Sequence, residues 1–138
     1  LLDTVKKIEE KIDKFRPERI YTHSAADLNV DHIICHKAVL AATRPVPGCC
    51  VKEVYCFETA SSTEWNFGNR PFTPNVFEQI TETELNDKIE KLKTLYPFEL
   101  RDFPHPRSAE YIRSCAVRWG GMVGVGLAEA FELIRSVR

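Results

Sequence analysis

The sequence predicts an α/β fold with a mostly parallel sheet, and three observations lead there. Helical and strand-like segments alternate along the 138 residues. The strand-like runs are short and contain β-branched and aromatic residues, as at 19–22 and 51–57. No internal repeat or low-complexity tract interrupts the alternation, and the length is that of one domain, taken as residues 1–138.

The elements follow in order. Residues 1–15 set Leu2, Val5, Ile8, Ile12 and Phe15 at helical spacing with Lys and Glu between them, and Arg16-Pro17 ends the run. Residues 19–22 form a short strand, Ile20 and Tyr21 being good β formers. Residues 31–43 make the second helix, with Ile34, Ala38 and Ala41 on one stripe, closed by Arg44-Pro45 and Pro47-Gly48. Residues 51–57 are the next strand. Residues 58–75 are rich in Ser, Thr, Gly, Asn and Pro but carry Trp65, Phe67 and Phe72. A loop of that length is expected to be a lid or a binding loop, and its aromatic residues argue against disorder.

Residues 76–80 read as a strand. Thr81 and Glu84 then form a capping box, with Ile80 and Leu85 placed for a hydrophobic staple. The helix they start shows Leu85, Ile89, Leu92 and Tyr96 on one face and stops at Pro97. Residues 103–107 are an extended linker, Ser108 is the N-cap of a last helix through about Met122, and 130–137 is a final strand.

Composition narrows the function classes. Nineteen basic and twenty acidic side chains leave a net charge of −1. That balance gives no support to a nucleic-acid or anionic-membrane partner. No apolar run approaches the roughly 20 residues of a membrane span, and the charged first fifteen residues show no signal-peptide pattern. Five cysteines, odd in number and without a CxxC pair, read as reduced, mostly buried thiols of a cytoplasmic protein. Leu1 is no initiator Met, and a helix is already under way there, so an N-terminal part outside this sequence is expected.

The chemistry gathers at the end of the first strand. The run YTHSAADLNVDHIICH places His23, Asp27, Asn29, Asp31 and His32 in a polar loop that opens into a helix. In open α/β folds ligands bind at that end of a strand. Neutral His32 is a suitable zinc ligand. Asp27 and Asp31 can orient its ring from behind. Asn29 can donate to a carbonyl or a developing oxyanion. Plainer roles stand beside these: an N-cap for Asn29, a helix-dipole partner for Asp31, a hydrogen-bonding loop imidazole for His32. His36 completes an HxxxH spacing but lacks a Glu beside the first His, and reads as a satisfied, partly buried imidazole.

The run THSAADLNVDHIICHKAVLAATRP resembles the second signature of the PIG-L or LmbE-like de-N-acetylases, an acidic polar loop ending in Asp-His ahead of a helix of AVxxA type. FETASSTEW is similar to that family's segment after the following strand. FPHPRS, then Arg118 with Gly120 and Gly121, then AEAFELIR, are similar to the C-terminal portion of its bacterial glycan-modifying members. The resemblance implies a Rossmann-like three-layer α/β/α fold with the N-terminal part missing. It also implies one catalytic Zn2+ with His32 as third ligand. The family's other two ligands and its general base come from an AHPDDE motif that these residues do not contain. The 138 residues alone are therefore expected to be inactive. The implied reaction is hydrolysis of the N-acetyl group of an amino sugar or glycoconjugate, giving acetate and a free amine. Family members often form homo-oligomers.

On that resemblance Asn29 stands where several members carry a His that helps to protonate the intermediate. An amide is no general acid, so His105, a water or the base itself would supply the proton. Asp27 and Asp31 would orient His32. Trp65 offers a flat face on which sugars stack, or a packing anchor. Arg107 can bind a carboxylate or phosphate, or lie in a surface loop. Two other classes remain: a non-catalytic sugar- or protein-binding module, and a different metal-dependent hydrolase using His32 and His36 as a pair.

Overall fold

The computed structural model describes residues 1–138. Four helices and four strands occur in the order α1 (Leu2–Phe15), β1 (Arg19–His23), α2 (Val30–Ala42), β2 (Glu53–Phe57), β3 (Val76–Gln79), α3 (Glu82–Leu95), α4 (Ala109–Val123) and β4 (Ala128–Ser136). The chain divides into two compact units, Leu1–Asn75 with Phe131–Arg138, and Val76–Ala130.

The first unit is built on β1–α2–β2. Helix α1 buries Val5 and Ile12 and ends at Arg16 (φ 48°), whose N–H reaches the Ile12 carbonyl. Pro17 follows and cannot continue the helix. β1 and β2 pair in parallel from Arg19↔Glu53 to His23↔Phe57. Alternation along each strand then sorts the side chains. Ile20 and Val54 point into a core with Ile8 and Ile12 of α1 and Val39 and Leu40 of α2. Tyr21, Tyr55 and Phe131 form an aromatic cluster on alternate positions, Tyr21 lying 5.3 Å from Tyr55 and 5.4 Å from Phe131 between ring centroids.

Helix α2 buries His36, Ala38 and Val39, while Ile34 and Ala41 are half-buried. The helix is apolar around most of its circumference, so spacing alone does not single out the stripe that packs inward. Its last carbonyls would lack intrahelical partners. Arg135 of β4 donates to the Thr43 carbonyl at 2.6 Å and to the Val51 carbonyl at 3.1 Å, tying the end of α2 to the start of β2.

The sheet has the strand order β1-β2-β4-β3. The expectation of a mostly parallel sheet does not hold. Only β1 and β2 are shown in parallel register, and β2 pairs antiparallel with β4, from Phe57↔Phe131 to Glu53↔Ser136. A parallel neighbour requires a crossover that returns the chain to the same end of the sheet. Alternating helices and strands show that helices intervene, but not the end to which each returns.

In the second unit the capping box forms in both directions, Thr81 Oγ1 accepting from Glu84 N–H and the Glu84 carboxylate from Thr81 N–H. Ile80 packs on the cluster of Leu85, Ile89, Ala116 and Leu127. Ser108 caps α4 by accepting from Tyr111 N–H, and Gly124 (φ 79°) ends it. A Cβ at Gly120 would lie 2.7 Å from the backbone of Gly126 and Leu127, so the return from α4 into β4 requires glycine there.

No helix is long and apolar enough to cross a membrane. No disulfide joins any of the five cysteines. Only Cys56 is buried, the other four being half-buried rather than mostly enclosed as expected.

Candidate functional site

The site starts where β1 ends. Ser24 N–H donates to the Phe57 carbonyl at 3.1 Å, one step beyond the β1–β2 register. Ser24 Oγ accepts from Ala26 N–H at 3.1 Å and donates to Glu132 Oε2 at 3.0 Å. This turn delivers Asp27, which is 1% exposed. A buried carboxylate persists only when its lone pairs are occupied. Asp27 Oδ1 accepts from Asn29 N–H at 2.8 Å and from the Ser62 hydroxyl. Asp27 Oδ2 accepts from His32 Nδ1–H at 3.0 Å and from the Thr63 hydroxyl at 3.3 Å. Burial alone would raise the Asp27 pKa; the Ser62 hydroxyl, the Asn29 amide and His32 outweigh it and hold the carboxyl below its ordinary value.

Asn29 then caps α2, its Oδ1 accepting from Asp31 N–H at 2.9 Å. Asp31 is exposed in the first turn, suited to the positive end of the helix. His32 lies one residue further on. Because Nδ1 faces a carboxylate it carries the proton, and the Nε2 lone pair is directed away from Asp27. Asn29 Nδ2 approaches Nε2 at 3.4 Å. The His23 ring stacks on His32 at 4.1 Å between centroids with 14° between planes, and tilts on Phe57 at 5.0 Å. Burial first, and then the neighbouring His32, lower the His23 pKa from its ordinary value. His36 does not join this pair. It is buried, and its Nδ1–H donates to the His23 carbonyl at 2.9 Å.

The long loop from Glu58 to Asn75 contains no helix or strand. It is nevertheless fastened at both ends. At the near end, Thr59 N–H donates to Thr63 Oγ1 at 2.7 Å, and Ser61 and Ser62 N–H donate to the Glu64 carboxylate at 2.8 and 3.0 Å. Ser61 takes the left-handed conformation (φ 64°) that this tight turn requires. At the far end, Thr73 N–H and Arg70 donate to Glu132 Oε1 at 2.8 and 3.1 Å. Glu132 is 3% exposed. Burial, followed by the charge of Glu132, pushes the neighbouring Cys56 thiol up to about 12.

The structure thus gathers Asp27, Asn29 and His32 and adds His23, Ser62 and Thr63. Trp65 lies just after the near-end turn and is 39% exposed. His105 and Arg107 belong to the second unit. There His105 Nδ1 accepts from Arg107 N–H at 3.0 Å, and Arg107 pairs with Glu99. Sequence reasoning missed Thr63 and Glu132 as site residues. A signal for Glu132 existed: Ala128, Ala130 and Glu132 occupy alternate strand positions, which places the carboxylate on the buried side. Metal coordination finds one suitable donor here, His32 Nε2 backed by Asp27. No group of three or more His, Cys, Asp or Glu side chains in these residues could hold an ion. A zinc site is therefore not complete within the chain.

No family model matches the sequence, and no curated protein does. Solved structures do. The fold is similar to that of the conserved protein TT1542 from Thermus thermophilus, with a TM-score of 0.72 and 18% identity over 100% of this chain and 61% of that one. It is also similar to the antimicrobial reagent A40926 pseudoaglycone deacetylase Dbv21, with a TM-score of 0.65 and 17% identity over 99% of this chain and 59% of that one. The chain therefore spans about three fifths of the length of each. At such identities the likeness is one of fold.

Proposed function

We infer that this α/β chain belongs to a de-N-acetylase that hydrolyses the N-acetyl group of an amino sugar or glycoconjugate, releasing acetate and a free amine. One observation carries the reading: a buried Asp27 carboxylate holds His32 by Nδ1 and leaves Nε2 as an outward-facing donor at the carboxyl end of β1. A carboxylate behind an imidazole is the arrangement that orients a metal-ligating His. The fold likeness to a pseudoaglycone deacetylase supports the reaction class. On this reading residues 1–138 are part of a Rossmann-like three-layer domain, and the ion is zinc. Its remaining donors would come from outside these residues.

The chain's own contributions are positional. Asp27 fixes the ring plane and proton of His32. Asn29 can turn its amide N–H from Nε2 toward a negatively charged oxygen. His23 covers one face of the His32 ring, and Phe57 packs on His23. Within this reading Trp65 offers a sugar-stacking face.

The test uses the full-length protein. Expected are bound zinc near one per chain, acetate release from an N-acetylglucosaminide, loss of turnover under a chelator, and loss of both zinc and turnover in His32→Ala. A metal-free protein with full turnover in chelator would overturn the reading. The rival that pairs His32 with His36 requires loss of turnover in His36→Ala, whereas a mild effect is expected here.

A further inference from the structure

We propose that the turn at residues 65–69 is a subsite for an uncharged, apolar aglycone of the amino sugar, with Phe67 as its specificity-determining side chain. The proposal rests on the deacetylase reading of the His32 site and names the kind of glycoconjugate that site takes.

Phe67 is 84% exposed, yet the backbone that carries it is fixed. Asn66 N–H donates to the Thr63 carbonyl and Asn69 N–H to the Asn66 carbonyl, each at 3.4 Å. Two side chains close the turn, Asn69 Nδ2 donating to Asn66 Oδ1 at 2.7 Å. Gly68 supplies the positive φ of 82° between them. The loop is anchored on either side, by the Glu64 carboxylate before Trp65 and by Arg70 on Glu132 after Asn69. Phe72 of the same loop is half-buried, whereas Phe67 stands outside the packing. A lone exposed aromatic residue is ordinary on a protein surface. One held at the tip of a hydrogen-bonded turn is a preformed contact, because little conformational freedom is left to lose when a ligand covers it.

Place and charge name the ligand. The turn starts from the carbonyl of Thr63, whose hydroxyl donates to Asp27 Oδ2, the oxygen that holds His32. Phe67 follows four residues later, so its Cα lies within about 15 Å of that of Thr63. Trp65 lies between them, 39% exposed. A glycoside with its acetamide at His32 and its ring on Trp65 has its aglycone within reach of Phe67. From residue 58 to 75 the one cation is Arg70, and Glu132 already engages it. A sugar phosphate or diphosphate meets two carboxylates in this loop, Glu58 and Glu64, and no unengaged cation. An alkyl or aryl group meets an aromatic face.

The test compares three probes on the full-length protein: octyl and methyl N-acetylglucosaminides, the first kept below its micelle concentration, and UDP-N-acetylglucosamine. Saturation-transfer NMR gives Kd, and acetate release gives KM and kcat. The octyl glycoside is expected to bind about tenfold or more tighter than the methyl glycoside, as covering part of a Phe ring yields. UDP-N-acetylglucosamine is expected to bind no better than the methyl glycoside. In Phe67→Ser the octyl-to-methyl ratio is expected to fall to about one, through KM rather than kcat, while Phe67→Leu retains most of the preference. Equal binding of the two glycosides, a preference unchanged in Phe67→Ser, or tightest binding of UDP-N-acetylglucosamine would overturn the proposal; with acetate still released, the deacetylase reading stands. An octyl preference that Phe67→Ser abolishes, in a protein that releases acetate from none of the probes, would sink the deacetylase reading and leave the subsite in place.

Discussion

Removing the Glu132 carboxylate tests the account of the long loop most directly. Glu132 is 3% exposed and accepts from Ser24 Oγ at 3.0 Å, Thr73 N–H at 2.8 Å and Arg70 at 3.1 Å. Hydrogen bonds to a charged partner contribute about 1.5–3 kcal/mol each, so Ser24 and Thr73 together supply about 3–6 kcal/mol. The Arg70 side chain is 68% exposed, and solvent screening limits that pair to under about 1 kcal/mol. A Leu at the position recovers about 2 kcal/mol by burying apolar surface. Glu132→Leu is thus expected to destabilise by about 3 kcal/mol, and Glu132→Gln, which keeps one acceptor oxygen, by roughly half as much. Urea unfolding followed by circular dichroism measures the loss. Limited proteolysis of the same variants reads the loop, which should be cut between residues 66 and 73 many times faster once Thr73 is released. A change under about 0.5 kcal/mol with unchanged cleavage would refute the reasoning, because a buried carboxylate with two short bonds cannot be neutral to removal.

Three further outcomes are expected. Gly120→Ala should destabilise by about 1–3 kcal/mol in thermal unfolding, since its methyl would overlap the Gly126 and Leu127 backbone, which cannot swing away as a side chain can. Cys56, buried and with its thiol pushed up to about 12, should be the slowest of the five cysteines to take up iodoacetamide at pH 8, as read by peptide mass spectrometry; rapid labelling in the folded chain would contradict the packing around β2. The bonds from Thr81 N–H and Oγ1 hold Glu84 below its ordinary value of 4.5, so its stabilisation is fully present above the unfolded-state pKa and is lost as pH falls through the lower folded-state pKa. Thr81→Ala should therefore lower the urea midpoint at pH 7, and its difference from the unmodified chain should narrow in acid; a gap independent of pH would exclude the capping box as its source.

What could be read from the sequence follows the range of each interaction. The capping box of Thr81 and Glu84, the Ser108 cap and the Pro17 stop all act within a few residues, and each appears where local chemistry places it. Asn29 as a cap and the His32-bearing first turn of α2 were legible for the same reason. The direction of β4 was not, because strand pairing is settled by where the chain returns across the sheet. Nor was the split into two units, or the placing of His105 and Arg107 in the unit that does not hold His32.

The sequence by itself determined that an Asp-rich loop with two imidazoles would open a helix at the end of a strand, since caps, turns and apolar periodicity are local properties. Tertiary structure alone decided what that loop becomes. Ser62 reaches Asp27 across 35 residues, and Glu132 reaches Ser24 across 108. A buried carboxylate takes its donors from whatever the packed chain brings within hydrogen-bond distance, and no spacing rule along the chain encodes which residues those are.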